Sequence, residues 1–256
     1  METRVGFEKL VGRAVRSIVP SLFLFSFFVA SADPGRAEPI RFASFVNFRL
    51  ASTLGALAGE VGSLKTTVTK GVGIQMTLSN VAAAGASKGQ ELIALVDPNN
   101  LSLISSVTYD HAKGAPIRTM RRKVSTSILD NSKSEVFEYV ETKDGKPTIT
   151  EPYVEFKVVD FMSVMLVAAD AIERKEAEPI DLSMLRDRSV VRVTLKIVGP
   201  ETVGGKPVTL VKVAPPDNPT GGITYAMGRT SDGAYYPARI SVETGQGPVQ
   251  LDGLPQ

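Results

Sequence analysis

At 256 residues the chain is long enough to bury a substantial core, as one large β domain or two small ones. Its net charge of +2 lies in the first 32 residues, where Arg4, Lys9, Arg13 and Arg16 outnumber Glu2 and Glu8; the neutral remainder lacks the basic footprint of a nucleic-acid binder. The absence of cysteine excludes disulfides, thiolate zinc sites, thiol catalysis and a lipidated cysteine, and His111 is the single imidazole.

The N-terminus has the layout of an export signal. Four basic residues precede an apolar run over residues 18–30, and Ala30-Ser31-Ala32 supplies a cleavage pattern before Asp33-Pro34, with Ala37 as a second position. The run is interrupted by Pro20 and falls short of the roughly 20 residues that a bilayer span needs. The expected product is periplasmic; the alternative is an uncleaved anchor in the inner membrane. No later stretch is long and apolar enough to span, so no transmembrane segment is expected after signal removal. The expected organisation is a signal over 1–32, an N-terminal extension over 33–58 and one antiparallel β domain over 59–256.

Residues 40–50 read as a strand, and the glycine-rich 51–62 as a loop or weak helix. Alternation with period two marks 63–70, where Leu64, Thr66, Val68 and Lys70 share a face, and 72–80, where Val72, Ile74, Met76 and Leu78 do. Further strands are expected at 91–97, 101–110, 117–128 and 135–142, punctuated by Pro98-Asn99-Asn100 and by a hairpin turn at Asp144-Gly145.

Residues 160–172 then form the one secure helix. Asp160 is its N-cap; Phe161, Met165, Ala168 and Ile172 make an apolar stripe that Val164, Val167 and Ala171 widen. So apolar a helix belongs against a sheet or inside a barrel end, and Pro179 blocks its continuation. The clearest strands follow at 190–198, 206–214, 223–229 and 234–243, with a tight turn at Gly204-Gly205. The fold class is mainly β: an antiparallel barrel or strongly curved sheet of ten to twelve strands with one buried apolar helix.

Three short motifs carry a resemblance. Asp160-Phe161-Met162-Ser163 opens the helix, Gly199-Pro200-Glu201-Thr202 follows a strand, and Asp232 with Pro237-Ala238-Arg239 sits in a late hairpin. In this order they resemble a bacterial family of exported, periplasmic β-barrel-like proteins catalogued as a domain of unknown function, best over residues 139–251. The resemblance implies a closed or nearly closed antiparallel barrel, with Gly199–Thr202 forming a turn, and carries over no catalytic residue.

Candidate chemistry is sparse. His111 has no G-x-S-x-G serine beside it and reads as an exposed turn residue; Asp110-His111 offers too few donors for a metal. Glu135, Glu138 and Glu141 fit a charged strand face better than a glycosidase pair. Asp160 and Ser163 fit helix capping, and Asp232 fits a hairpin turn. The glycine-rich 199–205 lacks the Gly-Lys-Ser/Thr of a phosphate loop, so neither cofactor nor metal is expected. In strict alternation Arg239 shares a strand face with Tyr235 and Ser241. If the barrel encloses a cavity, Tyr235 and Arg239 are the candidate ligand-binding pair for an anionic head group.

The expected function is therefore non-enzymatic: binding a lipid-like or amphipathic ligand, or an envelope partner protein, during envelope assembly. The alternatives are a carboxylate-based glycan or peptidoglycan hydrolase, and a structural interaction protein using a sheet edge.

Overall fold

The computed structural model describes residues 40–51, 60–69, 72–80, 89–126, 133–143, 146–152, 154–186, 189–244 and 247–256. The chain divides into two compact units, 1–34 and 35–256. The first, where an export signal is expected, lies outside the described residues, as do residues 144–145, where a hairpin turn is expected, and 52–59.

The second unit is one fifteen-stranded sheet. Its first half is β1 (Phe45–Ala51), β2 (Glu60–Thr69), β3 (Gly73–Ser79), β4 (Gln90–Val96), β5 (Leu103–Asp110), β6 (Ala115–Thr126), β7 (Lys133–Lys143) and β8 (Lys146–Thr150). After the short β9 (Val158–Val159) and helix α1 (Ser163–Glu173), the second half is β10 (Ile180–Arg186), β11 (Ser189–Val203), β12 (Lys206–Ala214), β13 (Ile223–Arg229), β14 (Tyr235–Thr244) and β15 (Gly247–Pro255). The spatial order runs from β8 down to β1, then from β15 down to β9. All neighbours are antiparallel except β9 and β10. The sheet is not closed: β8 and β9 are its two edges.

Two observations show that the sheet curls around the helix. Laid flat, its fourteen inter-strand steps would hold the edges about 67 Å apart at roughly 4.8 Å per step. Residues 151–157, which join those edges, reach at most about 28 Å. Further, β5 and β13 lie seven steps apart in the sheet, yet they touch consecutive residues. The Ser106 hydroxyl of β5 donates to Asp160 Oδ2 at 3.1 Å, and the Tyr225 hydroxyl of β13 donates to the Phe161 carbonyl at 3.1 Å.

The helix explains why the sheet wraps it. Every residue from Ser163 to Ala171 is buried, so α1 has no solvent face to present. Met162, Val164, Met165, Leu166 and Val167 are essentially inaccessible, and each contributes roughly 1.5–3 kcal/mol by burial. The sheet meets them with Phe48, Leu64, Met76, Leu78, Met120, Phe137, Leu195, Val211, Tyr225 and Ile240 in one core. Alternation predicts this face: Leu64 pairs with Leu78, and Thr66 with Met76.

Both helix ends are closed by their sequence. Asp160 Oδ1 accepts from the backbone N–H of Met162 (3.1 Å) and Ser163 (2.7 Å), and Ser163 Oγ accepts from the Asp160 N–H at 2.7 Å. Asp160 therefore closes the turn that leads into the helix, but Met162, without a side-chain bond, is the N-cap, so α1 begins at Ser163 rather than at the expected 160. At the other end Lys175 takes φ +53°, its N–H reaches Ile172 O, and the Glu176 N–H reaches Ala171 O, a Schellman closure.

The structure corrects three expectations. The described residues form fifteen strands, not ten to twelve: β8, β9 and β15 carry no clear alternation, and β10, where Ile180, Leu182 and Met184 alternate with Asp181 and Ser183, adds to the expected set. Residues 199–202 do not form a turn but continue β11 past a bulge at Val198, and the chain reverses at Gly204 and Gly205, with φ of +56° and +77°. The third concerns Tyr235 and Arg239.

Candidate binding site

A bulge separates the two candidate residues. Along β13, Tyr225 pairs with Ile240 and Ala226 with Arg239, but Met227 pairs with Pro237, leaving Ala238 as the extra residue. Pro237 has no N–H to give the ladder, which suits a bulge. The extra residue reverses the alternation, so Tyr235 and Arg239 lie on opposite faces. The shared face expected from strict alternation is therefore overturned.

Tyr235 faces the helix. Its buried hydroxyl donates to Glu173 Oε2 at 2.8 Å, Arg229 bonds both groups, and the Arg229 guanidinium lies 4.3 Å over the Tyr235 ring. Burial, then the bond to Glu173, pushes the phenol up to about 12. The same hydrogen bond, followed by the Arg229 charge, holds Glu173 below the usual carboxylate range. Residues before β1 brace this rim: Phe42 bridges to Tyr235, and Arg41 pairs with Asp232 at 2.9 Å. Arg239 instead faces outward and donates through Nε to Asp252 at 2.7 Å; that bond raises its already high pKa.

The other candidates resolve as structural contacts. His111 sits in the exposed β5–β6 turn, 3.2 Å from Glu91 and edge-on to Tyr109. Glu138 lies beneath Arg121 (2.7 Å) and Lys123, whose hydrogen bond is the main reason its carboxyl is held low. Its small exposure reflects coverage by those two side chains rather than a dry interior. Glu141 pairs with Arg118, and Asp97 with Arg122, both at 3.6 Å. Among the described residues Asp160 has no ion-pair partner, and burial raises its pKa despite the bonds from Ser163, Ser106 and Met162. Among the described residues no cluster of three metal-ligating side chains occurs.

Among the described residues an open recess lies elsewhere, at the end of the sheet where β11 begins and β12 ends. Val191, Arg192, Pro215, Pro216 and Asp217 line a recess of about 470 Å³, within the range of small-molecule sites. Arg192 is fixed from two sides: Nη2 donates to Asp181 at 2.7 Å, and its guanidinium lies 4.8 Å over the Phe156 ring. About half of its side chain stays exposed, leaving donors of the five-N–H fork available. The opposite wall is preset: two prolines fix their own φ, Asn218 closes the loop onto Pro215 O (3.1 Å) and Gly221 N–H (3.1 Å), and Lys212 ties Thr220 O.

The sequence does not bring the walls of this recess together, because they meet only through the β11–β12 register, where Thr194 opposes Ala214. No family model, curated protein or solved structure matches the chain.

Proposed function

We propose that this is an exported, non-enzymatic envelope protein that binds an amphipathic molecule on the rim of a nearly closed barrel. The seam of that barrel lies between β8 and β9, and its interior is occupied by α1. The observation that carries the reading is the recess at Arg192: aliphatic walls from Val191, Pro215 and Pro216 beside a guanidinium held in place before any ligand arrives. Preorganisation of this kind reduces the ordering cost of binding. Removing a mobile arginine from water would yield less.

The hydrolase reading is less well supported, because Glu138, Glu141, Asp97, Asp181 and Glu173 each face a basic side chain rather than a second carboxylate. The sheet-edge reading has β8 in its favour, with all five side chains exposed, Ile149 at 60%. However, Lys146 and Pro147 are devices that blunt an edge against added strands. No helix among the described residues is long and apolar enough to cross a membrane.

Native mass spectrometry of the protein released gently from its own cells tests the proposal. A small co-purifying mass, lost on denaturation, is expected; the bare polypeptide mass in repeated gentle preparations would overturn it.

A further inference from the structure

Resting on that reading, we infer that the recess at Arg192 takes a short zwitterionic peptide, its carboxylate on Arg192 and its ammonium on Asp217. The two charged groups of the lining are of opposite sign, and the surface given by Val191, Pro215 and Pro216 is aliphatic. A purely anionic amphiphile would satisfy Arg192 but bring a like charge towards Asp217, and a cation would do the reverse. A zwitterion with an aliphatic side chain satisfies both and covers the prolines.

The division of labour among the carboxylates fits this choice. Asp181 is engaged by Arg192 at 2.7 Å and by Thr194 at 3.0 Å, and these bonds hold it ionised. Asp217, on the exposed loop, has no hydrogen-bond or ion-pair partner among the described residues, so it is the carboxylate positioned to receive an ammonium. Planar guanidinium–carboxylate pairing supplies the directional end of the contact. The volume of about 470 Å³ accommodates roughly two or three residues, not a protein segment threading through.

The test is calorimetric titration of the purified protein with the dipeptide Ala-Leu, its N-acetyl form and its C-terminal amide. Saturable binding of the free dipeptide is expected, with each blocked form at least about tenfold weaker. Asp217→Asn, a change on an exposed loop, is expected to weaken the free dipeptide about tenfold while leaving the N-acetyl form unchanged. Arg192→Gln should abolish binding; because it also releases Asp181 and Phe156, Asp217→Asn is the decisive variant. Equal binding of all three peptides, indifference to Asp217→Asn, or no saturation by about 10 mM would overturn the assignment. If the peptides fail while native preparations still carry a co-purifying mass, this inference falls and the binding reading stands; if both fail, both fall.

Discussion

The clasp at Asp160 offers the sharpest test of the wrapped-helix architecture, through two substitutions that should behave oppositely. Asp160→Ala removes the acceptor for two buried backbone N–H groups, those of Met162 and Ser163, and the partner of the Ser106 hydroxyl. A stranded buried donor costs about 1–3 kcal/mol. Part of that is offset because a carboxylate no longer has to be desolvated, so a net loss of about 2–4 kcal/mol is expected. Asp160→Asn keeps Oδ1 as acceptor and lets the Ser106 hydroxyl rotate to accept, so its cost should stay within about 1 kcal/mol.

The pH dependence separates them further. Burial raises the Asp160 pKa, so the folded state holds the proton more tightly than the unfolded chain. The stability of the natural protein relative to Asp160→Asn is therefore greatest below the unfolded value of about 3.9 and declines as pH rises through the higher folded value. Urea unfolding of the three proteins between acid and neutral pH reads both effects. Equal costs for Ala and Asn, or a difference between natural protein and Asn variant that does not move with pH, would refute the account of Asp160 as a buried hydrogen-bond acceptor.

Three other outcomes are expected. A Cβ at Gly253 would lie 1.9 Å from the Pro237 carbonyl oxygen, in a sheet with no flexible side chain to yield, so Gly253→Ala should cost at least about 1–3 kcal/mol in denaturant unfolding. Lys175 holds a left-handed conformation at φ +53°, so Lys175→Gly should raise stability by about 1 kcal/mol; a loss of stability would mean that the Lys175 side chain contributes more than its strain. In ultraviolet titration, Tyr235 should ionise at about 12 and Tyr225 well above its usual value. Both folded values lie above the unfolded value of about 10, so their share of stability is intact below about pH 10 and lost as pH climbs through the folded values; Tyr235→Phe should blunt that alkaline loss.

Legibility in the sequence followed physical lines. Where one face is buried and each residue faces one partner, alternation is visible, and β3, β12 and β13 fall where Met76, Val211 and Tyr225 put them. The helix is visible because Phe161, Met165, Ala168 and Ile172 form an apolar stripe that Val164, Val167 and Ala171 widen, with only Ser163 and Asp170 polar within the stretch. Strand β15 was hidden: GPVQLDGLP holds two prolines and two glycines, poor strand formers, and pairing on both sides by β1 and β14 overrides that preference. The two-residue β9 is too short to show any period. The misplacement of Tyr235 beside Arg239 has a single cause, the extra residue Ala238, since one inserted position inverts every face before it. The recess was hidden for a different reason, because its walls are separated by a full hairpin of chain.

Strand order has a consequence for biogenesis. The first strand of the sheet finds its second partner in the last: Val46 opposes Pro255, and the Gln256 N–H reaches Phe45 O. A chain emerging N-terminus first can assemble β1 to β8 by neighbour-to-neighbour hairpins, but β1 must wait, with one edge bare, until β15 arrives. The helix is delivered before the half of the sheet from β10 to β15 that covers it. Such long-range closure is slow and leaves an open edge and an apolar helix uncovered for its duration. Loss of residues 248–256 should therefore leave two half-sheets without the strand that joins them, read as loss of cooperative unfolding in denaturant.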